Sequence, residues 1–178
     1  MNILEIFTNS ILLIITLDNE LWDIILLSLF VSFTALIIAS LLGFIVGYYF
    51  AIYNFYFKKI ILIIINSLMG IPPVVVGLIV YFIFASGGPL GILQLLYTPS
   101  AMIIAQTIII FPIIASLSHE IFSKNWFEFK DQIRSLNIPF WGSVKLLFNH
   151  SYFLLITTLL SAFGRAISEV GAVMIVGG

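Results

Sequence analysis

Arg165 and Glu169, two oppositely charged residues, lie four positions apart inside an apolar run that covers 151–176. Because four positions are about one helical turn, each side chain can neutralise the other on a helix. An unpaired charge at the centre of a bilayer costs at least about 2.5–3.5 kcal/mol on insertion scales. The spacing therefore predicts a salt bridge, which either holds neighbouring helices together or lines the path of a charged substrate.

The segment Gly70-Ile71-Pro72-Pro73 interrupts a second apolar run, at 60–84. Each proline removes a backbone N–H donor and disfavours helix at the preceding residue. In lipid, such a break is tolerated only where protein or water satisfies the freed carbonyls, and broken helices often line substrate paths in transporters. We therefore expect a kinked or unwound span that serves either packing or translocation. Gln106, in a third apolar run, is a weaker pathway candidate, because a buried amide also forms interhelical hydrogen bonds.

The motifs of common enzyme sites are absent from the sequence, which has no GxxxxGK phosphate-binding loop, no HExxH and no GxSxG. It has no cysteine, and its two histidines, His119 and His150, lie near the ends of apolar runs. We therefore expect no catalytic residue, no metal site and no cofactor in this chain. An intramembrane enzyme is the least favoured interpretation, because it would need several titratable side chains that converge within the spans.

Composition defines the elements that must position these residues. Hydrophobic residues make up 62% of the 178-residue chain and charged residues only 8%, which is about a third of the charge of a soluble domain. Because about 20 helical residues cross a bilayer, the sequence predicts an all-α, polytopic membrane protein with a single transmembrane domain over 1–178. The net charge of −1 gives no reason to expect a nucleic-acid partner. The predicted spans are 22–50, 60–84, 100–117 and 151–176, and residues 3–17 are expected at the membrane interface.

Six of the seven Lys and Arg residues lie in the two segments that join these spans on one side. They are Lys58, Lys59, Lys124, Lys130, Arg134 and Lys145. Because positive connecting segments favour the cytoplasm, we expect the 122–148 connector inside the cell and both the N-terminus and the 86–99 loop outside. The chain stops at Gly177-Gly178, just beyond an apolar run, so we also expect that it is truncated and that at least one further span is missing.

The connector at 122–148 is amphipathic. Its apolar residues recur at steps of three and four and would form one stripe on a helix, with charged residues on the other faces. Asn137 suits the left-handed position that ends a helix, and Pro139 suits the first position of the next helix. The pattern predicts helix, tight turn and helix over about 125–149, a natural place for a soluble partner to dock. The stripe consists of Phe122, Trp126, Phe129, Ile133, Leu136 and Phe140.

This helix–turn–helix resembles the cytoplasmic EAA loop of ABC importer permeases. The family pattern is Glu-Ala-Ala, three residues and Gly, where this chain has Asp131-Gln132-Ile133-Arg134-Ser135-Leu136-Asn137. Asp replaces the acid, Asn replaces the glycine, and both alanines are lost. The stretch MGIPPVVVGLIVYFIFASGGPLG at 69–91 is similar to the oxyanion branch of these permeases, which includes molybdate and tungstate importers. LLYTPSAMIIAQ at 95–106 and GRAISEVGAVMIVGG at 164–178 look like the tungstate permeases in particular.

The resemblance implies a type I ABC importer permease bundle with a cytoplasmic coupling helix, in a bacterial or archaeal cell membrane. It also implies a homodimer with the pathway at the dimer interface, cytoplasmic ATPase subunits that carry ATP and Mg²⁺, and an extracytoplasmic oxyanion-binding protein. A molybdate or sulfate permease and a non-transporting membrane scaffold are the alternatives. ATPase coupling then falls to Asp131, Ile133, Leu136, Asn137, Ile138, Pro139 and Phe140, and the pathway candidates are Pro72, Pro73, Gln106, Arg165 and Glu169.

Overall fold

The computed structural model describes residues 19–177, and within that range the chain forms helices and no strands. The helices are α1 (Asn19–Ile52), α2 (Lys58–Leu68), α3 (Pro73–Phe84), α4 (Pro99–Ser135), α5 (Phe140–Ser168) and α6 (Val170–Gly177), with a 3₁₀ turn at Gly91–Leu93. The all-α prediction is confirmed. The predicted interfacial segment at 3–17 lies outside the described residues.

Three helices, α1, α4 and α5, are long and apolar enough to cross a membrane. α2 and α3 together are also long and apolar enough to cross a membrane, but the chain bends by 102° between them. The double proline explains the break, because Pro73 opens α3, where its missing N–H is not needed, and Pro72 precedes it with an extended backbone. The predicted second span is therefore a bent pair of helices, as the prolines indicate.

The predicted connector at 122–148 is not a separate unit, because both of its helices continue into the neighbouring spans. α4 runs without interruption from Pro99 to Ser135, and α5 from Phe140 to Ser168. One polar residue of the connector is satisfied between the helices: Asn125 is buried, and its amide donates to the hydroxyl of Ser151. Only the turn at 136–139 separates the two long helices.

The predicted fourth span, 151–176, is interrupted at Glu169. α5 ends at Ser168, Glu169 has a non-helical backbone with φ −92° and ψ 73°, and α6 follows directly. No proline marks this position, so the interruption could not be predicted from the sequence. The chain therefore contains two interrupted spans, and one of them carries the predicted ion pair.

Glycines bring α1 and α4 into close contact. A Cβ at Gly43 would lie 2.8 Å from Cγ2 of Ile114, and a Cβ at Gly47 would lie 2.9 Å from the backbone nitrogen of His119. Small residues of this kind let helix backbones approach closely within a membrane, where hydrophobic burial drives no association. The contact holds α1 against α4.

α3 packs against α6 through a similar contact. A Cβ at Gly77 would lie 3.0 Å from Cα of Ala172, and Val80 and Val176 are buried in the same cluster. The backbone N–H of Tyr97 donates to the carbonyl of Val176 at 2.9 Å, which ties the loop after α3 to α6 as well. The two short helices that follow the interruptions therefore support each other.

Candidate functional site

The 136–139 turn has the geometry that its sequence predicts. Asn137 adopts the left-handed conformation, with φ 49°. Its N–H donates to the carbonyl of Arg134 at 3.1 Å, and the N–H of Ile138 donates to the carbonyl of Ile133 at 3.0 Å. These are the two hydrogen bonds of a Schellman motif, which ends a helix at a left-handed residue. Asparagine therefore replaces the usual glycine without loss of the turn.

Pro139 was predicted at the first position of the second helix, but it lies just before that position, as the N-cap residue. The helix begins at Phe140, and the carbonyl of Pro139 accepts the first helical hydrogen bond, from the N–H of Ser143 at 3.0 Å. Helix ends vary by one residue between definitions, so the physical role is the same. The side chain of Ile138 packs over Gly142, where a Cβ would lie 2.7 Å from Cγ2 of Ile138.

The surface around this turn is apolar and exposed. Leu136 is 73% exposed and Trp141 is 77% exposed, and Phe140 lies between them in the same patch of sequence. Asp131 is exposed on the last turns of α4. Large apolar side chains of this exposure outside a predicted span are typical of a docking surface. Trp141 lies inside the predicted docking range but is not among the singled-out residues, although its side chain is the most exposed of the three.

Ile133 requires a correction as a docking residue, because its side chain is buried within the chain itself. The stripe that begins at Phe122 faces the neighbouring helices over most of its length, and Phe122 is fully buried. Only the end of the stripe, from Leu136 onward, reaches the surface. Ile133 therefore packs inside the chain beside the turn, while Leu136 and Phe140 are exposed and available to a partner.

An aromatic cluster joins the 136–139 turn to α1. The ring of Phe140 meets the ring of Tyr48 edge to face at 5.9 Å, and Tyr48 meets Phe122 in the same way at 5.6 Å. Phe148 closes the cluster at 4.9 Å from Phe122. Edge-to-face contacts of this kind add about 0.5–1.5 kcal/mol each to the burial of the rings. The turn is therefore in contact, through one aromatic cluster, with rings from α1, α4 and α5.

A second candidate region is the cavity at the α2–α3 break, which we call the broken-helix cavity. It has a volume of about 370 Å³ and is lined by Met69, Ile71 and Val76 from either side of the break and by Thr107 and Pro112 from α4. The hydroxyl of Thr107 donates to the carbonyl of Ile103 in its own helix at 2.7 Å. Its walls are therefore almost entirely apolar.

Pro112 contributes a backbone feature that the sequence analysis does not consider. It lies inside α4 and cannot donate a hydrogen bond to the carbonyl of Ile108, and both residues line the broken-helix cavity. A proline inside a predicted span is the signal that could have identified it. The residue whose carbonyl it frees therefore lines the same cavity as the residues that flank the α2–α3 break.

Arg165 is the only charged residue among the described residues that line the broken-helix cavity. Its Nε lies 2.7 Å from Oε1 of Glu169, which confirms the predicted salt bridge. The arginine side chain is 40% exposed and the glutamate side chain only 15%. The cavity therefore presents one cation whose charge is largely neutralised by its neighbour.

Gln106 and Ser168 stabilise the interruption at Glu169. Gln106 is buried, and its Nε2 donates to the carbonyl of Ala166 at 3.1 Å. The hydroxyl of Ser168 donates to the carbonyl of Arg165 at 2.9 Å. A helix interrupted within a membrane needs such partners for its freed carbonyls. The interhelical hydrogen bond considered for Gln106 in the sequence is therefore present, although the sequence did not identify its partner.

The structure divides the five predicted pathway residues into three groups. Arg165 lines the broken-helix cavity, while Gln106 and Glu169 line a separate cavity of about 240 Å³. Pro72 and Pro73 produce the break, but the flanking residues form the cavity wall. Within residues 19–177, no group of three or more His, Cys, Asp or Glu side chains could hold a metal ion.

This chain resembles known proteins over most of its length. No protein-family model matches it. It is 39% identical over 176 residues to the tungstate uptake system permease protein TupB of Peptoclostridium acidaminophilum, an alignment that covers 99% of this chain and 77% of that protein. It is 37% identical over 151 residues to a probable anion ABC transporter permease protein of Haloferax volcanii, which covers 85% of this chain and 65% of the relative.

A third relative is the tungstate uptake system permease protein TupB of Campylobacter jejuni, 37% identical over 127 residues. That alignment covers 71% of this chain and 53% of the relative. The alignment with the first relative includes both the 136–139 turn and the interrupted helices of this chain, because it covers 99% of the chain. The chain therefore belongs to the family of ABC transporter permeases that includes the tungstate uptake permeases.

Proposed function

We propose that this chain is the permease subunit of an ABC importer that carries tungstate into the cell, driven by ATP hydrolysis on a partner subunit. The observation that carries the proposal is the 39% identity over nearly the whole chain to a permease named for tungstate uptake. A second permease named for tungstate uptake is 37% identical. Residues 95–106 and 164–178, which resemble the tungstate permeases, include α6 and the break at Glu169.

The 136–139 turn is the proposed docking point of the ATPase subunits, which would carry ATP and Mg²⁺. Leu136, Phe140 and Trp141 are exposed there and would be buried in a groove of the partner, with Asp131 at the edge of the contact. Because Phe140 also contacts Tyr48, a movement imposed on the turn reaches α1 as well as α4 and α5. This arrangement supports conversion of ATPase closure into movement of the membrane helices.

The translocation path is proposed to pass the broken-helix cavity at the interface between two copies of this chain. Arg165 supplies a cation there, but Glu169 neutralises much of its charge. The remaining walls are apolar, and carbonyls freed at Pro112 and at the α2–α3 break would repel an anion. The geometry therefore supports weak, transient contact with the anion, and tight recognition is assigned to an extracytoplasmic binding protein.

The proposed orientation places the 136–139 turn in the cytoplasm and the N-terminus outside the cell membrane. Lys58, Lys130 and Arg134 all line one cavity at the same end of the bundle as the turn, so the fold brings together the positive charges of two separate segments. Such a concentration of basic residues favours the cytoplasmic side. The loop between α3 and α4 then lies on the outer surface.

The decisive experiment is uptake by proteoliposomes that contain the permease, its ATPase and its own binding protein, with tungstate and molybdate in competition. We expect ATP-dependent accumulation of tungstate that molybdate inhibits only weakly. Preferential accumulation of molybdate or sulfate would replace the substrate and leave the permease assignment intact. A complex that lacks a bound ATPase and shows no ATP-dependent uptake of any oxyanion would favour the membrane-scaffold alternative.

A further inference from the structure

A basic cavity lies at the end of the bundle that carries the 136–139 turn, and we call it the Lys58 cavity. It has a volume of about 320 Å³ and lies between the end of α1, the start of α2 and one face of α4. Lys58, Lys130 and Arg134 line it, so three cations from two helices meet at one site. The polar side chains of Asn54 and Ser123 complete its polar surface.

The three cations have no acidic partner within the part of the chain that the structure describes. Nζ of Lys58 donates to Oδ1 of Asn54 at 3.1 Å, and Nζ of Lys130 lies 4.7 Å from the centre of the Phe127 ring. Both contacts hold a cation in place without neutralising it. The cavity therefore has a net positive charge that an external anion would balance.

None of the three acidic residues in the same stretch of α4 lines this cavity: Asp131 is exposed beside it, and the other two lie on another face of the helix. Glu120 and Glu128 line a different cavity there, together with Lys124. The cations of the Lys58 cavity therefore line a different cavity from Glu120 and Glu128, which share theirs with Lys124. The opposite cavity has mixed charge and provides a matched control for the Lys58 cavity.

The position of the Lys58 cavity corresponds to the surface of a membrane. Its floor is formed by the end of α1 and the first residue of α2, where one apolar helix leaves the bilayer and another enters. The loop between them exposes Tyr53, Tyr56 and Phe57 beside the cavity. Exposed aromatic side chains at the ends of membrane helices lie at the level of the lipid headgroups.

We propose that the Lys58 cavity binds the phosphate group of an anionic phospholipid from the adjacent leaflet. Basic pockets between membrane helices at the headgroup level bind such lipids. Ile52, Trp126 and Phe127 lie beside the cations at the edge of a mostly polar cavity, where they would contact the glycerol part of a lipid whose phosphate the cations hold. Ser123 and Arg134 both line the cavity and lie about 17 Å apart along the axis of α4, so the cavity extends from near the turn back toward the membrane.

Trp126 lines the cavity and provides a direct probe of its occupant. The chain has three tryptophans, and replacing Trp22 and Trp141 with phenylalanine leaves Trp126 as the single reporter. The full chain is placed in nanodiscs of equal phosphatidylglycerol and phosphatidylcholine, with one of the two lipids brominated near the headgroup. We expect brominated phosphatidylglycerol to quench Trp126 far more than brominated phosphatidylcholine, with a preference of about tenfold or more at low salt.

Neutralising the cavity tests whether its charges create this preference. Each of Lys58→Gln, Lys130→Gln and Arg134→Gln is expected to reduce the preference about fivefold. Arg134→Lys keeps the charge and should keep the preference, and Lys124→Gln on the opposite face of α4 should leave it unchanged. Equal quenching by both lipids in the parent chain, or equal losses from the Lys124 and Lys58 variants, would overturn the proposal.

Two soluble anions separate a lipid phosphate from a free oxyanion. Inorganic phosphate or tungstate is added to the nanodiscs while the total ionic strength is held constant. Neither anion should reduce the quenching of Trp126 by brominated phosphatidylglycerol. Loss of the lipid preference at low concentrations of either anion would show that the cavity binds a free oxyanion, and the lipid assignment would be wrong. Lipid binding needs no transport, so this result is independent of the proposed tungstate uptake.

Discussion

Removing one charge of the Arg165–Glu169 pair is expected to harm the protein more than removing both. Arg165→Met leaves a carboxylate that is only 15% exposed without its cation. Breaking a buried pair from one side typically costs about 3–5 kcal/mol, and partial exposure places the expected loss at about 3 kcal/mol. Glu169→Gln leaves an arginine that is 40% exposed and can extend its head toward water, so its expected cost is about 1–2 kcal/mol.

The double variant, Arg165→Met with Glu169→Gln, removes both charges and is expected to lose about 1 kcal/mol or less, because neutral side chains of similar volume remain. Unfolding of the four proteins in mixed detergent micelles gives the free energies of a double-mutant cycle. The coupling free energy should be at least about 2 kcal/mol and favourable to the pair. Additive losses would show that the observed 2.7 Å contact contributes nothing to stability.

Uptake by the same four proteins separates stability from transport. If the pair only supports the helix break, the double variant should regain transport together with its fold. A double variant that folds normally but transports no anion would show that Arg165 or Glu169 acts on the substrate. Arg165 faces the broken-helix cavity and Glu169 faces the cavity of Gln106, so the two single losses of transport need not be equal.

Three further predictions concern the turn, the α1–α4 contact and the orientation. Asn137→Pro should reach the membrane but lose the ATPase in pull-downs, because proline can neither adopt φ 49° nor donate a hydrogen bond to the carbonyl of Arg134. The control variant Asn137→Gly should bind the ATPase normally. Equal ATPase binding by both variants would contradict docking at the turn. Gly47→Leu should destabilise the fold by about 2 kcal/mol or more, because the site has no room for a side chain, and its unfolding temperature should fall. The control variant Ile45→Leu, at a site 59% exposed, should leave the unfolding temperature almost unchanged. Equal shifts in unfolding temperature would exclude close packing at Gly47. Because the chain has no cysteine, single cysteines at Ser86 and Ser135 should label from opposite sides of intact cells, and labelling from one side would refute the orientation.

Local chemistry made the turn and the first break predictable. Asn137 and Pro139 specify the end of one helix and the start of another through backbone preferences that operate within a few residues. The two prolines at Pro72 and Pro73 act equally locally, because each removes a hydrogen bond donor from its own helix. Arg165 and Glu169 are also only four positions apart, so their spacing alone was sufficient to predict the salt bridge.

The features that the sequence did not reveal depend on contacts between distant residues. The interruption at Glu169 has no proline, and Gln106 stabilises it from sixty positions away. Tyr48 lies in α1, and only the fold brings its ring against Phe140. Ile133 belongs to an apolar stripe that is continuous in sequence, but neighbouring helices cover most of that stripe and leave only its end exposed.

The continuity of α4 gives the two candidate regions a mechanical relation that a separate connector would lack. Thr107 at the broken-helix cavity and Ser135 at the turn lie on one helix, about 42 Å apart along its axis. A flexible boundary near 117–122 would absorb a displacement of the turn, whereas an uninterrupted helix carries it toward the cavity. Pro112 is the one proline inside that helix, and it lies in the cavity wall. Bending of α4 is therefore expected beside the broken-helix cavity, where the lost hydrogen bond to Ile108 makes it least costly.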